Sequence, residues 1–384
     1  MGLLDEFLST LHSNHFLREF SFRQTTFVRP GVGTLEVADH VVWIDDLLFL
    51  YQLKERGSTG GDIEKWVKKK IVKEATKQIR DTIGLSQSEE PVLIYNDYGH
   101  PFDFTQTRSA HTYKLVLFRV PGLQVPGPRY HISSTVGFIH IFNIIDYQDT
   151  ITRLYTPVEL ADYLAFRETL LRKYRPNDLP SEGALLGQYL TDSSSAKPSE
   201  HFAAASILVL DDRSEYDLTT FFGMIRSRIE FQAAGPTSYY RMLAELCKLT
   251  RAELKHFKLR FRLTVDAAMA NRLERPYRFV DPRTDCGFLF LPLTSEQIPK
   301  RKAGLENLSL AAKYDQRTSR QVGLSVAREG DDITIEWSFA EHPWVANPYL
   351  EERLRTAYPF RPLGSARAAR YTFRTADLSK HGLS

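Results

Sequence analysis

The run TLEVADHVVWIDDLLFLYQLKER, from Thr34 to Arg56, constrains this chain more than any other stretch. Residues 35–44 and 47–54 read as two strands of a hairpin joined near Asp45 and Asp46, at a turn where aspartate is favoured for backbone reasons. Alternate side chains of a strand leave on one face, so Gln52 and Lys54 emerge together while Leu53 points the other way. The neighbouring LLFLY implies burial. A buried lysine is costly unless it is paired with an acid or given a chemical task. Glu36 and Asp39 on the first arm are the acids placed to meet it across the hairpin.

Two acids, an amide oxygen and an ammonium at one end of a short sheet compose an oxygen-lined site suited to Mg²⁺ or Mn²⁺, hard cations that prefer carboxylate, carbonyl and water ligands. The expected metal ligands are Glu36, Asp39 and Gln52. Lys54 would orient the nucleophilic water and offset charge in the transition state. The reaction class composed in this way is phosphodiester hydrolysis.

After the glycine-rich loop at 57–61, Ile63, Val67, Ile71, Ala75, Ile79 and Ile83 recur every four positions, with lysines on another flank. This predicts an amphipathic helix with one buried stripe. Strands are expected in PVLIYN, YKLVLFRV and VGFIHIFNI, and a capped helix begins at Thr156 and Pro157, with Glu159 at the third position. The alternation is that of an α/β domain. The stretch at 177–200 clusters Pro, Ser and charge and reads as a linker. Beyond it AAASILVL is expected as a strand, two long helices around 215–231 and 236–258 follow, and CGFLFLPL, RQVGLSVARE and DDITIEWSF read as strands of an α+β region.

Other chemistries find little support. The chain lacks HExxH, GxSxG and a P-loop, and Cys247 and Cys286 are far apart, outside any CxxC pairing. No run reaches the roughly 18 apolar residues of a membrane helix. The start MGLLDEFLST has acids where a signal peptide would be basic, so a cytoplasmic location and no membrane partner are expected. The net charge of +3 says little about partners, but the segment from Ile63 to Arg80 is rich in lysine. Lys65, Lys68, Lys69 and Lys73 are candidate phosphate contacts, and equally a solvated helix face. The C-terminal arginines Arg353, Arg355, Arg361, Arg367, Arg370 and Arg374 read as a DNA-gripping edge or a protein contact surface.

The order Glu36, EVAD ending in Asp39, a hairpin, and QLK from Gln52 to Lys54 resembles the PD-(D/E)xK nucleases, the restriction-endonuclease-like superfamily. Gln52 stands where most members carry a second acid, as in the Q-x-K variant of Mrr-type nucleases, and Ala38 stands where a proline is usual. The resemblance implies a restriction-endonuclease-like α/β domain over 1–176, with a mixed central sheet flanked by helices. The linker at 177–200 and an α+β region over 201–384, for sensing, nucleic-acid binding or assembly, complete the expected organisation. It further implies a Mg²⁺- or Mn²⁺-dependent endonuclease acting on double-stranded DNA, in microbial defence against foreign DNA, as a homo-oligomer or within a multisubunit complex. The alternative is a non-catalytic subunit that uses the same fold to hold DNA or a partner.

Overall fold

A computed structural model describes residues 3–23, 26–29, 33–57, 62–120, 127–191, 197–208, 213–228, 237–281 and 283–361. The chain divides into two units at 211/212. In the first, α1 (Leu3–His15) precedes β1 (Ser21–Arg23), β2 (Thr26–Arg29), β3 (Gly33–Glu36), β4 (His40–Ile44) and β5 (Leu47–Glu55). A long helix follows as α2 (Ile63–Trp66), a π-helical stretch Val67–Glu74 and α3 (Ala75–Ser86). Then come β6 (Leu93–Tyr95), β7 (Pro101–Asp103), β8 (His111–Arg119), β9 (Tyr130–Ser133) and β10 (Gly137–Asn143). The helices α4 (Ile144–Arg153), α5 (Pro157–Lys173), α6 (Glu182–Thr191) and α7 (Ala205–Leu208) complete the unit.

The central sheet runs β1-β4-β5-β8-β10-β9. It is mixed: β5, β8 and β10 are parallel, and the other pairs are antiparallel. One face, carrying Leu48, Leu50, Val116 and Ile141, packs on α3 and the π-helical stretch; on the other, Phe49 stacks on Phe16 just beyond α1. This is a mixed α/β unit with helices on both faces.

The π-helical stretch has a cause in the sequence. In an α-helix a step of four residues overshoots a full turn by about 40°, so six positions spaced four apart would drift by about 200° around the helix. The wider i→i+5 turns of the π segment absorb that overshoot. Ile71, Ala75 and Ile79 thereby stay on one buried line against Val116, Phe118, Ile139 and Ile141.

Three expectations for the first unit are corrected. The first arm of the hairpin is not one strand over 35–44: β3 pairs with β2 in a separate two-stranded sheet, and β4 starts only at His40. Val37 and Ala38, both buried, lie in the connection between the two strands. The segment read as a linker, 177–200, holds α6, whose Ala184, Leu185, Leu186 and Leu190 are buried. A Cβ on Gly187 would lie 1.8 Å from the Phe202 carbonyl oxygen, so only glycine lets the 3₁₀ turn Glu200–Ala204 press on α6. Finally, AAASILVL is not a strand over its described part: Ala205–Leu208 is helical, in keeping with its alanines.

The second unit opens with α8 (Arg213–Tyr216), α9 (Thr219–Arg228), α10 (Tyr240–Cys247) and α11 (Arg251–Met269). The two long helices expected here are therefore four, and the break before α11 is a capping box in which Thr250 accepts from the Glu253 N–H and Glu253 from the Thr250 N–H. The strands β11 (Tyr277–Asp281), β12 (Cys286–Leu293), β13 (Arg320–Glu329) and β14 (Asp332–Glu341) form one sheet in that order, with α12 (Arg301–Gln316) between β12 and β13 and α13 (Pro348–Thr356) after β14. Phe288 and Phe290 of β12 meet Phe257 of α11, while Leu291 and Leu293 face Leu305 of α12. Arg355 and Arg361 pair with Glu352 and Glu274, and Arg367, Arg370 and Arg374 lie outside the described residues. Among the described residues no helix is long and apolar enough to cross a membrane.

Candidate active site

The hairpin β4–β5 turns at Asp45, whose φ of 52° lies in the left-handed region that aspartate tolerates. From this turn the ladder runs back to His40 opposite Tyr51. The next pair in register would be Asp39 with Gln52, and there the backbone ladder stops. The Leu53 N–H donates to Asp39 Oδ2 at 2.6 Å, so a side chain closes the ladder. Asp39 is thus fixed at the carboxyl end of β5, beside Gln52 and Lys54.

Burial pushes the Asp39 carboxyl above its ordinary range, and the Leu53 N–H and the Lys54 ammonium only partly offset it. Asp5 on α1 adds to the upward push. A cation at this position would relieve both effects. Lys54 is 9% exposed, and its Nζ donates to Gln78 Oε1 of α3 at 2.7 Å. It also helps hold Glu74 below the usual carboxylate range, after the larger effect of Lys70.

Gln52 is 2% exposed, and its Oε1 has no hydrogen-bond partner among the described residues. Leaving a buried amide oxygen unpaired costs about 1–3 kcal/mol. An oxygen-seeking cation is the kind of partner that would satisfy it, so the donor set at Asp39 and Gln52 fits a hard divalent ion. The backbone of Glu36 lies in β3, opposite Thr26. Its side chain lies outside the described residues, so the structure brings together Asp39, Gln52 and Lys54 of the four expected residues. Among the described residues no group of three His, Cys, Asp or Glu side chains could hold a metal.

Two neighbours escaped the sequence reading. Asp5 lies in the first turn of α1, and nothing in the sequence ties that helix to the hairpin. Gln78 lies beside the buried stripe of the long helix, one position before Ile79, and a search for acids passes over it. A third group lies on the opposite face of the sheet. His40 Nδ1 and His12 Nδ1 are 3.0 Å apart, His12 Nε2 and Tyr147 Oη 2.9 Å apart, and Tyr147 donates to Tyr51 at 2.8 Å. Burial pulls His40 down to about 4 and His12 well below its ordinary value, so both are neutral at pH 7. With Tyr147 spending its proton on Tyr51, His12 donates through Nε2 and accepts from His40, a directed chain that anchors the first residue of β4.

Lys65, Lys68, Lys69 and Lys73 are all exposed on the long helix and make no ion pair among the described residues, whereas Lys70 and Lys77 pair with Glu74 and Asp81. Trp66 packs against the Ile71–Ile139 cluster, and His140 is buried beside Arg167, 3.3 Å from its guanidinium. Compared with family models, curated proteins and solved structures, the chain matches none.

Proposed function

We propose that the first unit is a metal-dependent nuclease of the restriction-endonuclease-like kind, hydrolysing phosphodiester bonds of double-stranded DNA. The observation that carries this reading is the meeting of Asp39, an unpartnered Gln52 oxygen and a nearly buried Lys54 at the carboxyl end of β5. Asp39 Oδ1 and Gln52 Oε1 would hold Mg²⁺ or Mn²⁺, with Glu36 as the further ligand that the sequence order implies. When bound, such an ion supplies an activated water and offsets charge on the phosphoryl oxygens.

The protein's own residues have separable tasks. Asp39 is oriented by the Leu53 amide, so its free oxygen has a fixed direction. Lys54 is held by Gln78 at the same strand end, where it can orient the attacking water and meet negative charge on the phosphate. The unpaired lysines of the long helix supply sequence-independent contacts to the phosphate backbone. A role in microbial defence, as a homo-oligomer or in a multisubunit complex within the cytoplasm, belongs to the same proposal.

The test is incubation with supercoiled plasmid, linear duplex, single-stranded DNA and RNA, each with Mg²⁺, Mn²⁺ or EDTA. Metal-dependent cleavage with duplex DNA as the best substrate is expected. Metal-dependent cleavage of RNA alone would overturn the substrate, and no cleavage of any polymer by folded protein would overturn the activity.

A further inference from the structure

We infer that a second site, a cavity at the carboxyl ends of β8 and β10, takes a guanine base; its use during cleavage rests on the nuclease reading, but its binding does not. The cavity measures about 340 Å³, within the ~300–1,000 Å³ usual for small-ligand sites. Phe118, Ile141 and Phe142 give it apolar walls. The approach of Phe118 is close: a Cβ on Gly127 would lie 2.5 Å from its ring, so glycine at 127 is what allows the wall to form.

Behind the walls, Arg167 and Glu182 are already satisfied. Arg167 donates to both Glu182 oxygens, at 2.7 and 3.1 Å, and to the carbonyls of Arg129 and Ile141. They shape the cavity and offer a ligand nothing. Three groups at the rim do offer something. Arg129 spends one N–H on the Pro180 carbonyl and one on Glu182, and its remaining donors belong to a side chain 22% exposed. Asn143 Oδ1 accepts the Ile145 N–H at 3.0 Å, which leaves its amide NH₂ to donate. The Asp146 carboxylate lines the cavity without a hydrogen bond from any described residue.

Apolar walls with a carboxylate and two donors at the rim suit a flat heterocycle that pairs adjacent N–H groups with a carbonyl. Of the four DNA bases, guanine alone sets two adjacent N–H donors beside a carbonyl acceptor on its pairing edge. Asp146 would accept from those N–H groups, and Arg129 and Asn143 would donate to the carbonyl and ring nitrogen.

The position matters as much as the chemistry. Phe118 is the register partner of Lys54 on the adjacent parallel strand, and adjacent strands lie about 4.8 Å apart. A base in this cavity would therefore belong to a nucleotide next to the phosphate that Lys54 faces. Two sources present the same edge: a guanine extruded from the duplex, at a cost of a few kcal/mol, and a free guanine nucleotide.

Calorimetric titration of the full chain with dGMP, dAMP, dCMP and dTMP in EDTA, where no cleavage occurs, tests the site. We expect dGMP to bind at least about tenfold more tightly than the others, and Asp146→Ala and Asp146→Asn each to weaken it by about tenfold or more. No dGMP binding, equal binding of all four, or an unchanged Asp146→Ala would overturn the inference. In a duplex carrying 2-aminopurine beside a guanine, a fluorescence rise with wild type and not with Asp146→Ala assigns the base to extrusion. Binding of dGMP without that rise assigns the cavity to the free nucleotide. Cleavage that needs Lys54, with no dGMP binding, sinks this site alone. Binding of dGMP with no cleavage of any polymer sinks the nuclease reading alone.

Discussion

Glu182 fixes α6 to the first unit, and its removal has a magnitude that the structure supplies. Its carboxylate accepts from Arg167 at 2.7 and 3.1 Å, from Arg129 at 2.8 Å and from the Tyr163 hydroxyl. Burial would raise this carboxyl, yet the two guanidinium groups win and hold it at about 2 instead of an ordinary 4.5. One pKa unit is about 1.4 kcal/mol, so the ionised form contributes about 3 kcal/mol of stability to the fold. The sign follows from a depressed folded pKa: the contribution is complete above pH 4.5 and is lost as pH falls toward 2. Glu182→Gln should therefore lower unfolding free energy by about 3 kcal/mol at pH 7, with the deficit constant down to pH 5 and shrinking below about 4.5.

Urea unfolding followed by circular dichroism across this range, with amide exchange to locate the loss in the first unit, measures it. His40, held at about 4, removes further stability from both proteins as pH falls from 6.5, so the difference between them isolates Glu182. A deficit under about 1 kcal/mol, or one that ignores pH between 7 and 3, would refute the reasoning and return 177–200 to the status of a linker.

Three further outcomes follow from the site. Gln52→Leu removes a buried amide whose oxygen is unpaired and should raise stability by about 1 kcal/mol while cutting cleavage at least tenfold, read by thermal melts and plasmid nicking. Asp39 has a raised folded pKa, so its ionisation costs stability as pH climbs above the ordinary 3.8; Asp39→Asn should melt higher than wild type at pH 7, and Mn²⁺ should raise the melting temperature of wild type only. Replacing Lys65, Lys68, Lys69 and Lys73 with glutamine should weaken DNA binding uniformly across sequences and flatten its salt dependence by about one log unit per lysine that contacts phosphate, read by fluorescence anisotropy at several salt concentrations.

The elements most legible in the sequence are those whose pattern repeats. The apolar runs became β5, β8, β10, β12, β13 and β14, and Thr156 with Pro157 marked the start of α5, where the Thr156 hydroxyl accepts the Glu159 N–H at 3.3 Å. The four-residue spacing of the long helix was visible, and its mismatch with 3.6 residues per turn already held the π-helical stretch. The break between β3 and β4 was hidden because EVADHVVWI looks like one apolar run, and only pairing in space separates Glu36 from Asp39. In the same way α6 was masked by its polar flanks, and its buried glutamate finds its cations on β9's approach and on α5. That Gln52 and Lys54 leave β5 on one face was legible from strand periodicity, and Asp39 beside them from the hairpin order, whereas Asp5 and Gln78 come from helices whose docking no local pattern encodes.

The most direct test of the central claim is nicking of supercoiled plasmid in Mn²⁺ by wild type and by Lys54→Ala, with both shown to be folded by circular dichroism. Metal-dependent nicking by wild type that falls by about a hundredfold or more in the variant is the predicted result, in line with the loss of a charge-stabilising group. Equal nicking by the two proteins would contradict it and remove Lys54 from the chemistry.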